Sequence, residues 1–242
     1  MLGKLTSVAS LWRDPGPRFV WLWWRLRRRV PGWLTTANAA LLYGFARNGG
    51  GPGEIMEIGS AWGLSTIVLA KGAHARQGEE AMVTTVDTHD TYSGTERRLQ
   101  RSLTRFRADN VTAITQDSVG YAERSSLPRR IRLLYVDGDH SESGVRRDLE
   151  AWLPRVAPGG VVVFDDYFDH SDPGYGVAAG VRPWLDDGTL EPVRRSDLAG
   201  WTRKATHQAA HLGDGRHGVN VRGSVMRRSG AVDREAGAAP RA

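Results

Sequence analysis

Two acidic strand ends, separated by one helix-length segment, constrain the fold of this chain more than any other feature. A buried strand is predicted over 131–136 and runs into the motif Asp-Gly-Asp-His, and a second over 161–164 runs into an Asp-Asp pair. The segment between them, 141–156, has helical periodicity. A strand, a helix and a strand of these lengths form a right-handed crossover that makes the two strands parallel neighbours. Both acidic ends therefore open on the same edge of a sheet, where α/β proteins bind ligands.

The carboxylates at these strand ends are Asp137, Asp165 and Asp166. Carboxylates that converge repel one another unless a cation or a proton lies between them. Oxygen ligands suit a hard divalent cation such as magnesium, calcium or manganese. The sequence therefore predicts a metal site or an acid/base site. The alternative is a non-metal site in which Asp137 lies beside a cofactor and the other two cap a helix or bind substrate.

The composition narrows the class of protein. A chain of 242 residues is long enough for one α/β domain with extra segments. The absence of cysteine excludes disulfides, zinc–thiolate sites, iron–sulfur clusters and cysteine nucleophiles, and it fits a cytoplasmic protein. The net charge of +6 comes almost wholly from arginine. No nucleic-acid-binding motif accompanies that charge, so codon bias from a GC-rich genome is the preferred explanation and no nucleic-acid partner is expected.

Three regions are predicted along the chain. Residues 1–50 form a helical N-terminal extension, 51–228 form the catalytic domain, and 229–242 form a disordered tail rich in Gly, Ala and Arg. Five βα units followed by a strand pair predict an open, mostly parallel sheet. The strands are expected near 54–59, 82–87, 111–116, 131–137, 160–165, 190–195 and 218–227. The helices are expected near 37–47, 63–75, 94–107, 118–125, 141–156 and 175–187.

The first predicted strand runs into a glycine turn that is typical of a nucleotide-binding loop. Gly59 and Gly63 lie four residues apart, which differs from the G-x-G-x-x-G fingerprint of dinucleotide sites. Glu57 would repel a pyrophosphate, so a cationic or zwitterionic ligand such as S-adenosylmethionine is favoured. Asp87, after the second strand, is placed for ribose hydroxyls, and Asp117-Ser118, after the third, for an adenine edge.

Together these motifs resemble class I S-adenosylmethionine-dependent methyltransferases. Within that superfamily the chain is most similar to the small-molecule O-methyltransferase branch with catechol O-methyltransferase-like and macrocin O-methyltransferase-like enzymes. The resemblance implies a Rossmann-like sheet of seven strands, mostly parallel with the last strand antiparallel, and helices on both faces. It implies that the cofactor-binding residues are Glu57, Gly59, Ser60, Gly63, Ser65, Asp87, Asp117, Ser118 and Asp137. It also implies magnesium held by Asp137, Asp165 and Asp166, which would bind and orient acceptor hydroxyls.

The base that the resemblance implies is Asp139, with His140 as the second candidate. Catechol-type enzymes carry a lysine in this turn, and this chain has none there. An unperturbed imidazole pKa near ~6.5 suits general-base work, although His140 would equally suit a hydrogen-bonding role at the helix start. The expected function is metal-assisted O-methylation of a hydroxylated small molecule, such as a sugar, a polyketide or a phenol. The alternatives are a cephalosporin hydroxylase-like enzyme on the same fold and a non-catalytic scaffold.

Segment 19–29 combines three tryptophans with four arginines. Tryptophan beside arginine suits an interfacial helix on an anionic membrane, which would make the protein peripheral to that membrane. The preferred interpretation is that the helix packs on the domain or on a second subunit of a homo-oligomer. On that interpretation Trp21, Trp23 and Trp24 are expected to be covered by protein.

Overall fold

The sheet and its helices follow the predicted βα alternation. The computed structural model describes residues 16–49, 53–76, 82–124, 130–167, 174–192 and 224–228, so the predicted tail and residues 1–15 of the extension lie outside it. The strands are β1 (Glu54–Ile58), β2 (Val83–Asp87), β3 (Val111–Thr115), β4 (Ile131–Val136), β5 (Val156–Phe164), β6 (Leu190–Pro192) and β7 (Ser224–Arg228). The α-helices are α1 (Pro17–Leu26), α2 (Thr36–Asn48), α3 (Leu64–His74), α4 (Thr95–Phe106), α5 (Ser118–Arg124), α6 (Glu142–Trp152) and α7 (Val177–Asp186).

The seven strands form one sheet in the order β3-β2-β1-β4-β5-β7-β6. Strands β1 to β5 pair in parallel, and β7 inserts antiparallel between β5 and β6. This confirms the predicted fold class, including the antiparallel last strand. The direction of the strand order reverses between β1 and β4, and ligands of open α/β sheets bind at such a reversal.

Side-chain alternation along the central strands divides the core into two layers. Leu133 and Tyr135 of β4 pack with α1, α2, α3 and α4 on one face of the sheet. Leu134 and Val136 pack with α5, α6 and α7 on the other face. Strand β4 is buried along its whole length, as expected for a central parallel strand covered by helices on both faces. The two helical layers fix the strand ends that carry the site.

Strand β5 begins at Val156, earlier than the predicted start near 160. Helix α6 ends at Trp152 and a short 3-10 turn follows it, because Pro154 cannot continue an α-helix. The register between β4 and β5 shifts by several residues after the first pair. The Pro-Gly-Gly sequence is therefore an irregular opening of the strand rather than a turn before it, with Gly159 at a φ of 77°.

Two of the three tryptophans of segment 19–29 are not covered within this chain, so their expected coverage by a second subunit stays a prediction. Trp23 is buried, and its indole N–H donates to Thr36 Oγ1 at 2.9 Å. Trp21 and Trp24 are 60% and 57% exposed. The reason is helical spacing, because residues 21 and 24 lie on the face opposite to the one that carries residue 23. Among the helices in the described ranges, none has both the length and the apolar character that crossing a bilayer requires.

One buried arginine fastens α2 to the sheet. Arg132, in β4, is fully buried. Its guanidinium donates to the carbonyl oxygens of Phe45, Ala46 and Gly49 at 3.3, 2.6 and 2.9 Å, and its Nε donates to Gly53 O at 3.1 Å. The last carbonyls of a helix have no partner within the helix. Arg132 supplies those partners and ties the end of α2 to the middle of the molecule.

Candidate active site

A cavity of about 750 Å³ opens at the carboxyl ends of β1, β2, β4 and β5. Most of the residues predicted for the site line it, namely Gly59, Ser60, Ser65, Asp87, Asp117, Ser118, Asp137, Asp139, His140, Asp165 and Asp166. Glu57 and Gly63 lie behind its wall. The predicted cofactor and acid/base residues thus share one cavity.

The glycine turn needs its glycines for shape. Gly59 has a φ of 87°, and a Cβ at this position would clash with the carbonyl oxygen of Asp137. Gly63 has a φ of 90° and caps α3, and a Cβ there would lie 2.7 Å from Leu99 Cδ1. Both values lie in the left-handed region that glycine adopts at little cost. The turn can therefore run close to the end of β4, which leaves the mouth of the cavity open.

Asp87 holds this turn against the end of β2. Its Oδ2 accepts hydrogen bonds from the backbone N–H groups of Ser60 and Ala61 at 2.9 and 2.8 Å. Its Oδ1 accepts from the N–H of His89 at 2.7 Å. The carboxylate thus lines the cavity and organises the loop around it, and its predicted contact with a ribose stays a prediction.

Glu57 lies beneath the loop and is fully buried. Its Oε2 accepts a hydrogen bond from Thr66 Oγ1 at 2.6 Å. Burial raises its pKa to about 7, although the hydrogen bond from Thr66 acts in the opposite direction. The other oxygen, Oε1, is buried and has no hydrogen-bond partner. Such an atom commonly marks a place where a ligand or a water molecule completes the bonding.

The predicted adenine-contact pair lies at the start of α5. Asp117 Oδ2 accepts from the N–H of Gly120 at 2.7 Å, which is a capping contact. The hydroxyl of Ser118 donates to Asp148 on α6. Asp148 also lines the cavity, and burial raises its pKa to about 6. The sequence interpretation missed this residue because it lies mid-helix, away from any strand end.

At the end of β4, His140 and Asp137 form a hydrogen-bonded pair. His140 Nε2 lies 3.3 Å from Asp137 Oδ1, and the two side chains are 19% and 25% exposed. Burial alone would lower the pKa of His140, but the hydrogen bond and charge of Asp137 and the charges of Asp166 and Asp165 outweigh it and raise the pKa. The Tyr175 ring packs on the imidazole with centroids 4.9 Å apart. The imidazole is therefore held at the cavity wall by two contacts.

Asp165 faces the same cluster from β5. Burial raises its pKa, and the negative charges of Asp137 and Asp166 raise it further. Asn38 of α2 donates from Nδ2 to Asp165 Oδ1 at 3.3 Å. An N-terminal helix thus reaches the acidic cluster, a contact that the sequence did not indicate.

Asp139 occupies the rim rather than the wall. Its side chain is 54% exposed. Its Oδ1 accepts from the N–H of Ser141 at 2.9 Å, and its Oδ2 lies 3.5 Å from Arg147 Nη2. These contacts show Asp139 bonded to the backbone just before α6 begins. The assignment of Asp139 as the base stays a prediction.

The donor chemistry of Asp137, Asp165 and Asp166 fits a hard cation, since all three supply carboxylate oxygens. Across the residues that the structure describes, no group of three or more acidic or histidine side chains stands close enough to hold a metal ion. The predicted magnesium site therefore stays a prediction.

An aromatic cluster at the cavity was not predicted. Trp33, Trp62 and Tyr92 all line the cavity, with ring centroids 5.2 to 5.8 Å apart. Each comes from a different segment: Trp33 precedes α2, Trp62 belongs to the glycine turn, and Tyr92 precedes α4. Trp62 was visible inside the glycine motif, but the other two positions depend on folding of distant segments. These rings add an apolar part to a cavity that is also lined by carboxylates.

Comparison with known proteins agrees with this geometry. Residues 56–167 match the family described as a methyltransferase domain. Among curated proteins, the uncharacterised protein R132 of Acanthamoeba polyphaga mimivirus is 29% identical over 83 residues, which cover 32% of this chain. The chain spans 38% of the length of that relative.

Several solved methyltransferases share the fold. CalS11, a TDP-rhamnose 3′-O-methyltransferase of calicheamicin biosynthesis, aligns with a TM-score of 0.54 at 18% identity, over 78% of this chain and 76% of its own. TomG of Streptomyces achromogenes, an O-methyltransferase solved with S-adenosylmethionine, aligns with a TM-score of 0.55 at 16% identity, over 82% of each chain. An O-methyltransferase of Bacillus cereus in complex with S-adenosylhomocysteine aligns with a TM-score of 0.52 at 17% identity, over 74% and 84%.

Proposed function

We propose that this chain is an S-adenosylmethionine-dependent methyltransferase that methylates a hydroxyl oxygen of a small molecule. The match of residues 56–167 to a methyltransferase domain and the methyltransferase fold support this proposal. The observation that carries the proposal is the shared cavity, in which the glycine turn and Asp87 lie at one side and the His140–Asp137 pair at another. A methyl donor on the turn and a hydroxyl beside the imidazole would then face each other. Methyl transfer is an in-line displacement, so positioning of this kind supplies much of the catalysis.

The residues of the turn support S-adenosylmethionine as the donor. Asp87 places negative charge beside the loop, which favours a sulfonium and an amino group over a phosphate. Bound S-adenosylmethionine would supply the electrophilic methyl group. The protein's part is to orient it and to exclude water.

We assign the base to His140 rather than to Asp139. The imidazole is mostly buried, lines the cavity and is oriented by the Asp137 carboxylate, whereas Asp139 is more than half exposed and bonds to the backbone of Ser141. In the step, the acceptor O–H gives its proton to a ring nitrogen of His140 as the C–O bond forms, and Asp137 stabilises the resulting imidazolium. The methyl–sulfur bond breaks with its electron pair on sulfur.

A divalent cation at Asp137, Asp165 and Asp166 is a finer proposal that rests on donor chemistry and charge. The burial and mutual repulsion that raise the pKa of Asp165 are relieved either by a proton or by a cation. A bound magnesium ion would lower the pKa of an acceptor hydroxyl. We expect activity to be lost in excess chelator and to return with magnesium. Full activity in excess chelator would contradict the cation, and a proton would then be what relieves the repulsion among the three carboxylates.

The acceptor class that fits the cavity is a hydroxylated molecule with an apolar face. Trp33, Trp62 and Tyr92 offer a stacking wall, and the acidic cluster offers hydrogen-bond acceptors for hydroxyls. A glycoside of an aromatic or polyketide aglycone, or a phenol, meets both demands. CalS11 methylates TDP-rhamnose and TomG takes part in tomaymycin synthesis, and both facts support this class of acceptor.

The test begins with the donor. Calorimetry should show binding of S-adenosylmethionine and S-adenosylhomocysteine to the wild-type chain, and failure to bind either would overturn the proposal. Mass spectrometry of phenolic and glycosidic acceptors should then show the gain of one methyl group on oxygen.

The base assignment is tested separately. His140→Gln should lower kcat by roughly 10²- to 10⁴-fold, with donor binding unchanged, and Asp139→Asn should leave kcat within a few-fold. The reverse pattern would move the base to Asp139.

A further inference from the structure

Helix α1 presents two opposite faces. The buried face carries apolar residues at helical spacing, namely Phe19, Leu22, Trp23 and Leu26. The opposite face carries Trp21 and Trp24, which are 60% and 57% exposed. Large exposed indoles that recur at helical spacing are unusual on a soluble surface and mark an interaction site. Their spacing of three residues puts both rings on the same side of the helix.

Each exposed indole is paired with a guanidinium. The Arg25 guanidinium lies 4.5 Å from the Trp21 ring centroid, and that of Arg28 lies 3.8 Å from the Trp24 centroid. Both distances are within the range of cation–π attraction. The four residues Trp21, Trp24, Arg25 and Arg28 therefore form one organised surface, which we name the Trp/Arg face.

The charge of the whole protein is concentrated in this part of the sequence. Segment 15–53 contains six arginines and no lysine, aspartate or glutamate. The chain as a whole has 33 basic and 27 acidic residues, so removing these six leaves 27 against 27. The net charge of +6 is thus the charge of this segment. Codon bias alone spreads arginine along a chain and does not remove every carboxylate from one stretch.

We propose that the Trp/Arg face binds the surface of an anionic phospholipid membrane. Indole rings favour the headgroup region of a bilayer, with the ring in the apolar boundary and the N–H toward water. Arginine forms forked hydrogen bonds with lipid phosphates, and a cluster of cations is attracted to anionic headgroups. With ten residues, α1 is an interfacial rather than a spanning helix.

Charge complementarity separates this occupant from a second copy of the chain. An isologous dimer through the Trp/Arg face would bring two identical cationic faces together. Like charges across an interface oppose association. An anionic bilayer supplies the opposite charge and an apolar layer at the same time.

The face is joined directly to the cavity. The chain runs from Arg28 and Arg29 to Pro31, Gly32 and Trp33, all three of which line the cavity. A docked α1 therefore places the cavity rim only a few residues from lipid.

The test is co-sedimentation of the full-length protein with phosphatidylcholine–phosphatidylserine vesicles and with pure phosphatidylcholine vesicles. We expect binding to the anionic vesicles only, and release as salt is raised. Trp21→Ser/Trp24→Ser and Arg25→Glu/Arg28→Glu should each weaken vesicle binding by roughly tenfold or more. The matched control is Arg124→Glu/Arg182→Glu, which makes the same charge change at exposed positions on α5 and α7 and should retain binding. Thermal melts and S-adenosylmethionine binding confirm that each variant is folded.

Four results would overturn the proposal. One is absence of binding to anionic vesicles, and another is equal loss in the control, which would indicate nonspecific charge attraction. The third is a wild-type protein that sediments as a dimer and a Trp21→Ser/Trp24→Ser variant that sediments as a monomer, when neither protein binds vesicles. Tight binding to an oligonucleotide in place of vesicles, lost in the arginine variant, would assign the face to nucleic acid and also overturn it. None of these readouts depends on methyl transfer.

Discussion

The Asp87 carboxylate shows how one side chain can serve a loop and a ligand together. It accepts three backbone N–H hydrogen bonds from the glycine turn and its neighbour, yet it still faces the cavity. Ionised carboxylate oxygens have about four lone-pair sites in total. The Ser60 hydroxyl also donates to Oδ2, over a long distance of 3.5 Å. A ribose hydroxyl would take the place of this weak contact.

Asp87→Ala should weaken S-adenosylmethionine binding by roughly 1.5–3 kcal/mol, the range for hydrogen bonds to a charged group. Asp87→Asn keeps one acceptor oxygen and should lose less. Calorimetry on the folded variants measures both. Unchanged affinity in the alanine variant would remove Asp87 from the binding site and leave it a purely structural residue.

Glu57 gives the protein a pH-dependent stability that can be isolated by mutation. Its pKa is about 7 in the folded protein against 4.5 for an ordinary glutamate. Between these values the folded state retains a proton that the unfolded state has released, so the free energy of unfolding falls as pH rises through this window. The loss is at most on the order of 3 kcal/mol.

Glu57→Gln keeps an acceptor for Thr66 and cannot ionise. The variant should match wild type near the low end of the window and become the more stable protein above neutral pH. Urea denaturation at a series of pH values measures the difference. Parallel stability curves for the two proteins would show that Glu57 titrates normally.

Residues that follow strands were the ones that the sequence could assign to the cavity. Asp87 and the Asp-Gly-Asp-His motif were found because parallel strands deliver their carboxyl ends to one edge. Asp148 and Trp33 were not, because their positions depend on how α6 packs and on where the segment before α2 returns to the sheet. No local pattern records such long-range packing.

At the scale of elements, the connection between α2 and β4 depends on Arg132. Replacing this residue with methionine leaves the carbonyls at the end of α2 buried without their donor. Each unsatisfied buried group costs roughly 1–3 kcal/mol. We expect Arg132→Met to lower the free energy of unfolding by several kcal/mol, whereas Arg130→Met, two residues earlier and exposed, should change it little. Equal effects of the two substitutions in urea denaturation would contradict the assignment.

Element boundaries were predicted wherever a local signal marks them. Thr35 caps α2 by accepting from Asn38 N–H, and Ser141 caps α6 by accepting from Gly144 N–H, both near the predicted starts. The start of β5 was missed because Pro-Gly-Gly reads as a turn in isolation. Its pairing with β4 comes from the sheet, which the segment itself does not encode.

At the scale of the whole molecule, the N-terminal helices belong to the folding unit. Phe19 and Leu26 of α1 and Phe45 of α2 are fully buried in the same core layer as the sheet. The described residues on the two sides of the boundary predicted at residue 50 therefore share one core. Burial of this kind supplies stability to the entire domain.

A chain that starts at Gly53 should be insoluble or partly unfolded, because removal of α1 and α2 exposes that layer. A chain that starts at Gly16 should unfold in a single cooperative transition like the full-length protein. Differential scanning calorimetry and limited proteolysis distinguish the two cases. A folded, soluble product from the shorter chain would show that the extension is dispensable.

The hydrogen bonds from Arg132 to the end of α2 also have a consequence for how related sequences can vary. A guanidinium buried at the centre of a sheet is tolerable only while the helix that accepts its hydrogen bonds is present. The leading helices and position 132 must therefore be inherited together. In related sequences, arginine at this strand position should occur together with N-terminal helices of this type. Where those helices are replaced by other sequence, the position should hold an apolar residue. Arginine at this position would then identify, from sequence alone, the relatives that keep these helices.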